Sequence, residues 1–451
     1  MKKKNLMAGA AMVLSLTLAG CSANTTAAAS ASPAESSTPA SAVQTAQAVL
    51  ENTESLVTTV SKSSGGAIDT ADLFTERDLT QTADVSEAVY YTVQNGEDIT
   101  ITAAGVYVLS GTASNMTVTV NAGDSDKVQL VLNGLSITNE SAPCIYVASA
   151  DKVFVTTSSS DNTLTVTGTF AENSELDADA VITSKDDIVF NGVGVLNITS
   201  SEDGIDGKDD IKVTGGILNI SCQDDAIEAN DSYCGADGTV TIQAADDGIH
   251  AENEDDITKG SIYICGGTYD ITAGDDAIHG ETIVQIDGGT FSITAAEGLE
   301  GTWVQVNDGD ITINASDDGI NAANKSSAFT TAAEINGGNI TITMGAGDTD
   351  AVDSNGNLII TGGTIDITAQ SPFDIDGQIT FTGGTVTANG QQLTTITNAM
   401  MGGGMMGSMQ GQMPQDGQMP QDGQMPQDGT QGQRPQGGPM GGGMPGGHMH
   451  P

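Results

Sequence analysis

Acidic side chains recur at regular intervals through the middle of this 451-residue chain. In segments such as GDDAIHGE and SDDGINAA, an acid precedes a small and an apolar residue, and a polar residue follows. Aligning the first acid gives a first column: Asp203, Asp225, Asp247, Asp276, Glu297, Asp318 and Asp350. Aligning the residue that follows the apolar position gives a second column: Asp206, Glu228, His250, His279, Glu300, Asn321 and Asp353.

The chemistry of these columns depends on whether their members stack. Strands in a sheet lie about 4.8 Å apart, so facing carboxylates repel one another unless they bind a cation or a proton. One outcome is a ladder of hydrogen-bonded aspartate turns. The other is a row of cation sites, for which Ca²⁺ is suited because it takes six to eight oxygen ligands in flexible geometry. We expect calcium at this edge, with every acidic member of both columns as a candidate ligand.

The elements that position the columns are short strands. The acids repeat about every 22 residues with two longer steps, and periods of this size are typical of solenoids. Within each repeat, stretches such as TFSITA and TYDITA alternate apolar and polar residues, which is strand spacing. The sequence therefore predicts an all-β, right-handed parallel β-helix with three short strands per coil. Glycine pairs such as Gly288-Gly289 suit corners that need a positive φ.

The ends of the chain have a different composition. Residues 1–20 read as a signal peptide of the lipoprotein type, with Leu18-Ala19-Gly20 before a lipidated Cys21. Residues 21–67 form an Ala/Ser/Thr-rich tether, residues 68–398 the β-helix with an N-terminal cap, and residues 399–451 a Gly/Met/Gln/Pro-rich disordered tail. We therefore expect a protein outside the cell, anchored to the outer face of the membrane by a lipid.

The charge excludes one class of partner. With 13 basic and 59 acidic residues, the formal net charge is −46. Nucleic acid is not expected to bind, because no basic patch is available to neutralise its phosphates. Among the cysteines, Cys234 and Cys265 are candidates for a disulfide, although the sequence alone does not determine the pairing.

The segments LFTERDL and GVYVLSGT, followed by the DDGI and GGT repeats, resemble a known family. They are similar to the calcium-associated carbohydrate-binding domain of secreted clostridial-type bacteria, whose fold is like that of pectate lyases. The resemblance covers roughly residues 73–390. It implies a parallel β-helix that binds plant cell-wall polysaccharide, cellulose or polygalacturonate, with calcium held by carboxylates.

Four further residues are candidates for contact with sugar. Trp303 has outward parity on its strand and is expected to face solvent, and Tyr263 has outward parity on the same sheet. Exposed aromatic rings suit stacking on a pyranose. His250 and His279 occupy the second column as neighbours. They are interpreted as polar residues of an exposed strand, with a contact to sugar hydroxyls as the sharper alternative. A metal-binding or catalytic pair is a further alternative.

Two other functions remain open at this point. A calcium-dependent polysaccharide lyase needs a base to remove a proton next to a uronate carboxylate. The repeats contain no arginine, and Lys208 has acidic neighbours that raise the pKa of a lysine. A structural or adhesive surface protein is the third alternative. The sequence favours non-catalytic polysaccharide binding over both.

Overall fold

A computed structural model describes residues 66–170, 178–346 and 349–397. The predicted signal peptide, Cys21, nearly all of the tether and the tail lie outside the described residues. The described residues belong to one compact unit. None of them belongs to a helix with the length and apolarity that crossing a bilayer requires.

From Val89 to Gln392, the described residues form a succession of short β-strands. The first part contains β1 (Val89–Thr92), β2 (Ile99–Ile101), β3 (Gly105–Ser114), β4 (Val118–Asn121), β5 (Lys127–Asn139), β6 (Ile145–Ser149), β7 (Lys152–Thr157), β8 (Asp161–Val166), β9 (Ala180–Ser184), β10 (Ile188–Gly192) and β11 (Val195–Thr199). The middle contains β12 (Asp203–Gly207), β13 (Asp210–Val213), β14 (Ile217–Ser221), β15 (Ile227–Ala229), β16 (Ser232–Gly235), β17 (Thr239–Gln243), β18 (Ile249–Ala251), β19 (Ser261–Ile264), β20 (Thr268–Thr272), β21 (Asp276–Ile286), β22 (Thr290–Ala295) and β23 (Glu297–Val306). The last part contains β24 (Asp310–Ala315), β25 (Asp318–Ala322), β26 (Ala332–Ile335), β27 (Asn339–Met344), β28 (Asp350–Ser354), β29 (Asn357–Ile360), β30 (Thr364–Thr368), β31 (Asp374–Ile375), β32 (Ile379–Phe381), β33 (Thr385–Ala388) and β34 (Gln391–Gln392).

In the regular part of the fold, each strand pairs in parallel with the strand three places further along the chain. Thus β10 pairs with β13, β11 with β14 and β12 with β15. This pairing produces three stacks of strands, which we name the strap sheet (with β10 and β13), the outer sheet (with β11 and β14) and the cleft sheet (with β12 and β15). Strands β21 and β23 each contribute to the cleft sheet and then, past a corner, to the strap sheet. The architecture is all-β and dominated by parallel pairs, as in a solenoid-like β-helix.

The apolar positions stack inside the solenoid as the repeats predict. Ile293 pairs with Ile271 on one side and Ile313 on the other, and all three are at most 1% exposed. The rings of Tyr269 and Phe291 stack with centroids 4.9 Å apart. Fully burying one such side chain contributes about 1.5–3 kcal/mol, so each added coil extends one continuous core.

The predicted glycine corners are confirmed. The second glycine of each pair has a positive φ, which is 97° at Gly267 and 108° at Gly289. A Cβ at Gly289 would also lie 3.0 Å from the ring of Phe291. These positions therefore require glycine for both conformation and space.

The segment expected as a cap lies along the outer face of the strap sheet. We name residues 66–85 the strap. At its start, the amide of Ala67 donates to Gln305 Oε1 at 2.9 Å. Further along, Gln81 accepts from the amide of Gly192 at 2.9 Å and donates to the carbonyl of Thr214 at 2.8 Å. The strap thus crosses many successive coils from the side.

The strap buries side chains that would otherwise face solvent. Asp78 is fully buried, and its carboxylate lies 3.7 Å from Lys152 Nζ. The Arg77 guanidinium lies 4.4 Å from the ring centroid of Phe154. From β5 to β23, one outward column of the strap sheet is at most 7% exposed: Gln129, Phe154, Val189, Lys212, Cys234, Tyr263, Gln285 and Gln305. This part of the face is therefore closed to solvent.

Candidate functional site

The second acidic column stacks on the cleft sheet in the predicted order. Asp206 pairs with Glu228, and Glu228 pairs with His250. The register continues from His250 through the rest of the column: His279, Glu300, Asn321 and Asp353. Residues at the same position in successive repeats are therefore neighbours in the sheet.

This column forms the floor of a cleft rather than the lining of an open groove. Asp206 is fully buried and Glu300 is 5% exposed, although both have outward parity. The two longer loops account for part of this burial, since Ser326 Oγ in one donates to the carbonyl of Ile257 in the other. A cavity of about 290 Å³ is lined by Asp225, Asp246, Asp247, His250, Asp275, Asp276, His279, Glu297, Glu300 and Lys325.

The first column forms a ladder of hydrogen bonds between coils. The carboxylate of Asp203 accepts from the amide of Asp225 at 2.9 Å, and that of Asp225 accepts from Asp247 at 2.8 Å. Asp247 accepts from Asp276 in the same way at 2.8 Å. In Asp225 and Asp247 the bond uses Oδ1, and Oδ2 approaches the histidines of the second column. The hydrogen-bonded alternative is therefore realised, and it leaves one oxygen of each of these residues for other contacts.

Burial and mutual repulsion raise the pKa of carboxyl groups along both columns. Burial, followed by the charge of Asp179, raises the pKa of Asp203 to about 9. Burial, followed by interaction with Glu300, raises the pKa of Asp276 to about 10. Burial likewise raises the pKa of Asp318 to about 7, with Glu297 as the next cause. A cation in the cleft lowers such pKa values, because it stabilises the ionised form.

Several buried oxygens of the cleft sheet have no hydrogen-bond donor among the described residues. Asp206 Oδ2 and the hydroxyl of its register neighbour Thr183 are of this kind. The other carboxylate oxygen, Asp206 Oδ1, lies 3.1 Å from Lys208 Nζ. Since a buried polar atom without a partner is unfavourable, these oxygens are suited to a cation.

A second group of such oxygens lies further along the column. The amide nitrogen of Asn321 donates to Glu297 at 2.8 Å and to Glu300 at 3.0 Å. These bonds fix the amide, and its buried Oδ1 accepts no hydrogen bond from the described part of the chain. Asp353 is the register neighbour of Asn321. Oxygen atoms of two kinds, carboxylate and amide, therefore meet here.

The two histidines divide the oxygen-rich stretches. Their rings stack with centroids 4.6 Å apart and an interplanar angle of 10°. His250 Nδ1 lies 3.0 Å from Asp225 Oδ2, and His279 Nδ1 lies 3.3 Å from Asp247 Oδ2. Burial alone would lower the pKa of His250, but the Asp225 and Asp247 carboxylates outweigh it and raise that pKa to about 9.

The predicted exposure of Tyr263 needs correction. Tyr263 has outward parity but is only 1% exposed, because the strap covers it and Phe74 lies against it at 6.4 Å between ring centroids. Trp303 is half-buried, and its indole nitrogen donates to Glu334 at 3.2 Å. Both residues belong to the strap sheet, so the structure does not place them with the histidines on the cleft floor.

Sequence reasoning missed two contributors to the cleft. Lys325 belongs to one of the two longer loops, and its Nζ lies 2.8 Å from Glu300 Oε2. Thr183 pairs with Asp206. Its segment, DADAVITS, lies one repeat before SEDGIDG, and aligning the two would have identified Thr183 as a member of the second column. The structure has free thiols at Cys234 and Cys265.

Comparisons with known proteins found a family model, one related sequence and one solved structure. A sequence model of the family described as carbohydrate-binding domain-containing protein matches residues 95–303 and 296–417. A protein of Acetivibrio thermocellus with the same description is 35% identical over 123 residues, which are 26% of this chain and 43% of that protein. This chain therefore spans less than half the length of that relative. A solved polysaccharide lyase-like protein from C. thermocellum, studied as a gadolinium derivative, has 24% identity and a TM-score of 0.42, over 64% of this chain and 98% of that one.

Proposed function

The chain belongs to the family of carbohydrate-binding domain-containing proteins, and from this premise we propose that its acidic cleft binds a plant cell-wall or acidic polysaccharide through calcium ions. Binding is non-catalytic in this proposal. The polysaccharide is of the cellulose or pectin type, and polygalacturonate is the first candidate.

The observation that carries the proposal is the set of buried oxygens without donors. Asp206 and Thr183 provide such oxygens on one side of the histidines, and Asn321 provides one on the other. The unpaired atoms of both stretches are oxygens, which are the ligands that Ca²⁺ prefers. Glu228 would complete the first group and Asp353 the second, as their register neighbours. Bound calcium would supply positive charge on the cleft floor.

Calcium also explains how an acidic cleft would hold an acidic sugar. A cleft with this excess of carboxylates repels a polyuronate at long range. An ion that shares its six to eight ligands between protein and sugar oxygens converts that repulsion into a bridge. The proposal therefore makes sugar binding dependent on calcium.

The lysines of the cleft favour binding over elimination chemistry. Burial alone would lower the pKa of Lys208, but Asp206 and Glu228 outweigh burial and raise it. Lys325 behaves in the same way, with Glu300 as the main cause that raises its pKa. A general base needs a pKa near the working pH, so both lysines are suited to act as cations.

Retention on immobilised polygalacturonate and on insoluble cellulose tests the proposal. We expect retention with Ca²⁺ and loss with a chelator, and we expect Asp206→Asn to weaken binding about tenfold, or about 1.4 kcal/mol. Asp270→Asn, on the exposed face of the outer sheet, is the matched control and should bind as the parent does. Equal retention with chelator would exclude the calcium bridge. Release of unsaturated uronides would favour the lyase.

Two finer features belong to the same proposal. The solenoid is right-handed, because parallel strands joined by a crossover almost always have that hand. The protein is held at the cell surface by a lipid on Cys21, and labelling of Cys21 with a radioactive fatty acid tests this anchor.

A further inference from the structure

The nitrogen ligands of the cleft lie together at one place. His250 and His279 are neighbours on the cleft sheet, while the second column on either side of them offers only oxygen donors and one amide nitrogen that is already hydrogen-bonded. The protein has four histidines, and the other two, His448 and His450, lie outside the described residues. The centre of the cleft therefore differs in donor chemistry from both of its ends.

One carboxylate lies near the Nδ1 atoms of both rings. Asp247 Oδ2 is 3.9 Å from His250 Nδ1 and 3.3 Å from His279 Nδ1. One ligand atom from each of these three residues lies within 4.8 Å of the others. Ligands at 2.0–2.2 Å from a tetrahedral zinc ion are separated by about 3.4 Å, so a small tilt of the rings brings the three atoms to a shared ion.

The ligands are already oriented by their neighbours. Asp247 Oδ1 accepts the amide of Asp276 at 2.8 Å, and this bond directs Oδ2 towards the histidines. On the far side of each ring is a second carboxylate. Glu300 lies 3.3 Å from His279 Nε2, and Glu252 lies 3.5 Å from His250 Nε2.

The Nε2 atoms of His250 and His279 give an independent indication of a metal site. Both Nε2 atoms are buried without a hydrogen-bond partner among the described residues, although a carboxylate stands near each. A histidine that binds a metal through one nitrogen usually donates its other N–H to a carboxylate, which fixes the ring. Here the second contact is present at 3.3 Å in His279 and 3.5 Å in His250.

We propose that Asp247, His250 and His279 form a site for a divalent transition metal of the zinc class. Imidazole nitrogen with one carboxylate suits Zn²⁺, Ni²⁺ or Co²⁺, whereas Ca²⁺ and Mg²⁺ prefer oxygen alone. Glu252 and Glu300 are positioning residues that orient the imidazoles. The site is separate from the calcium-dependent binding proposed above, because none of its three ligands belongs to the oxygen groups assigned to calcium there.

The test uses the full chain without a polyhistidine tag, in a His448→Ala/His450→Ala background that removes the tail histidines. The protein is dialysed against Zn²⁺ with Ca²⁺ in excess, and bound zinc is measured by elemental analysis. We expect one equivalent of zinc that calcium does not displace, and a Co²⁺ form with the intense visible absorption of a four-coordinate site.

Variants distinguish the ligands from their neighbours. His279→Gln should weaken zinc binding more than a hundredfold, because it removes a ligand, and Glu252→Gln should weaken it about 10–100-fold. Asp270→Asn should leave it unchanged. Absence of stoichiometric zinc, displacement by calcium, or equal zinc affinity in His250→Gln, His279→Gln and the parent would overturn the site. Polysaccharide retention with calcium alone is measured in parallel, so that failure of either proposal is recognised separately.

Discussion

Replacing Asp206 by asparagine should stabilise the calcium-free protein, although it changes a buried residue of the central sheet. The Asp206 side chain is fully buried, and its one ionic partner is Lys208 at 3.1 Å. Burial raises its pKa from 3.8 to about 7, even though Lys208 acts in the opposite direction. Asparagine keeps the shape of the side chain and removes the charge.

The size of the effect follows from the two pKa values. Between pH 3.8 and 7 the folded protein holds a proton on Asp206 that the unfolded chain has lost, so stability falls as the pH rises. Each pKa unit corresponds to 1.36 kcal/mol. The penalty is therefore roughly 2 kcal/mol at pH 5 and roughly 4 kcal/mol above pH 7. Asp206→Asn removes this penalty, so it should raise the free energy of unfolding by a comparable amount at each pH.

Denaturant unfolding in chelator at pH 5 and at pH 8 measures this difference. We expect the gain from Asp206→Asn to be larger at pH 8, and we expect added Ca²⁺ to stabilise the parent more than the variant, because calcium offsets the charge of Asp206. Asp270→Asn, an exposed aspartate of β20, is the control. A variant less stable than the parent in chelator at pH 8, or an equal calcium effect in both, would refute the reasoning.

Three other substitutions test separate parts of the account. Gln81→Ala should destabilise the protein by about 2–3 kcal/mol in denaturant unfolding, since it leaves the buried amide of Gly192 and carbonyl of Thr214 unpaired. Gly289→Ala should destabilise it by about 1–3 kcal/mol in the same assay, because φ is 108° there. Trp303→Ala should leave polygalacturonate affinity in calcium unchanged, as measured by calorimetry, because the indole lies on the strap sheet and not on the cleft floor.

Control variants or contradicting outcomes accompany these three substitutions. Glu76→Ala, at an exposed strap position, should leave the free energy of unfolding unchanged. If Gln81→Ala and Glu76→Ala lowered that free energy equally, the hydrogen bonds of Gln81 would contribute nothing to stability. Gly96→Ala has a positive φ without a neighbour within 4 Å, so it separates backbone strain from crowding at Gly289. A tenfold loss of sugar affinity in Trp303→Ala would restore the aromatic platform.

The columns were predictable because the repeats keep residues of equal rank in register. Glu228, His250 and His279 were aligned from letters alone and are neighbours in the sheet. Stacking in a solenoid converts sequence period into spatial contact. The same reasoning located the positive-φ glycines, since the second glycine of each pair occupies the same corner.

The exposure of individual side chains was not predictable from parity. Tyr263 points away from the core as predicted, but the strap covers it. The strap belongs to no repeat, and its partners are distant in sequence, such as Gln305 for Ala67. One sign of the cover was present: the outward column of the strap sheet contains Phe154, which suits a buried position.

The choice between an aspartate ladder and cation sites also needed the structure. Sequence spacing places carboxylates side by side without saying which oxygen accepts which hydrogen bond. In Asp225 and Asp247, Oδ1 accepts the amide of the next coil and Oδ2 faces the cleft. One residue can thus join the ladder and still present an oxygen to the cleft, because a carboxylate has two acceptor atoms.

Coupling between calcium and sugar is the most direct test of the central claim. Calorimetric titration of Ca²⁺ with and without an oligogalacturonate, and of the oligogalacturonate at low and saturating Ca²⁺, gives two affinity ratios that must be equal if the ligands share a site. The account predicts that each ligand tightens the other by the same factor, well above one, and that Asp206→Asn reduces this factor. Calcium affinity that the oligogalacturonate leaves unchanged would contradict the calcium-bridged cleft.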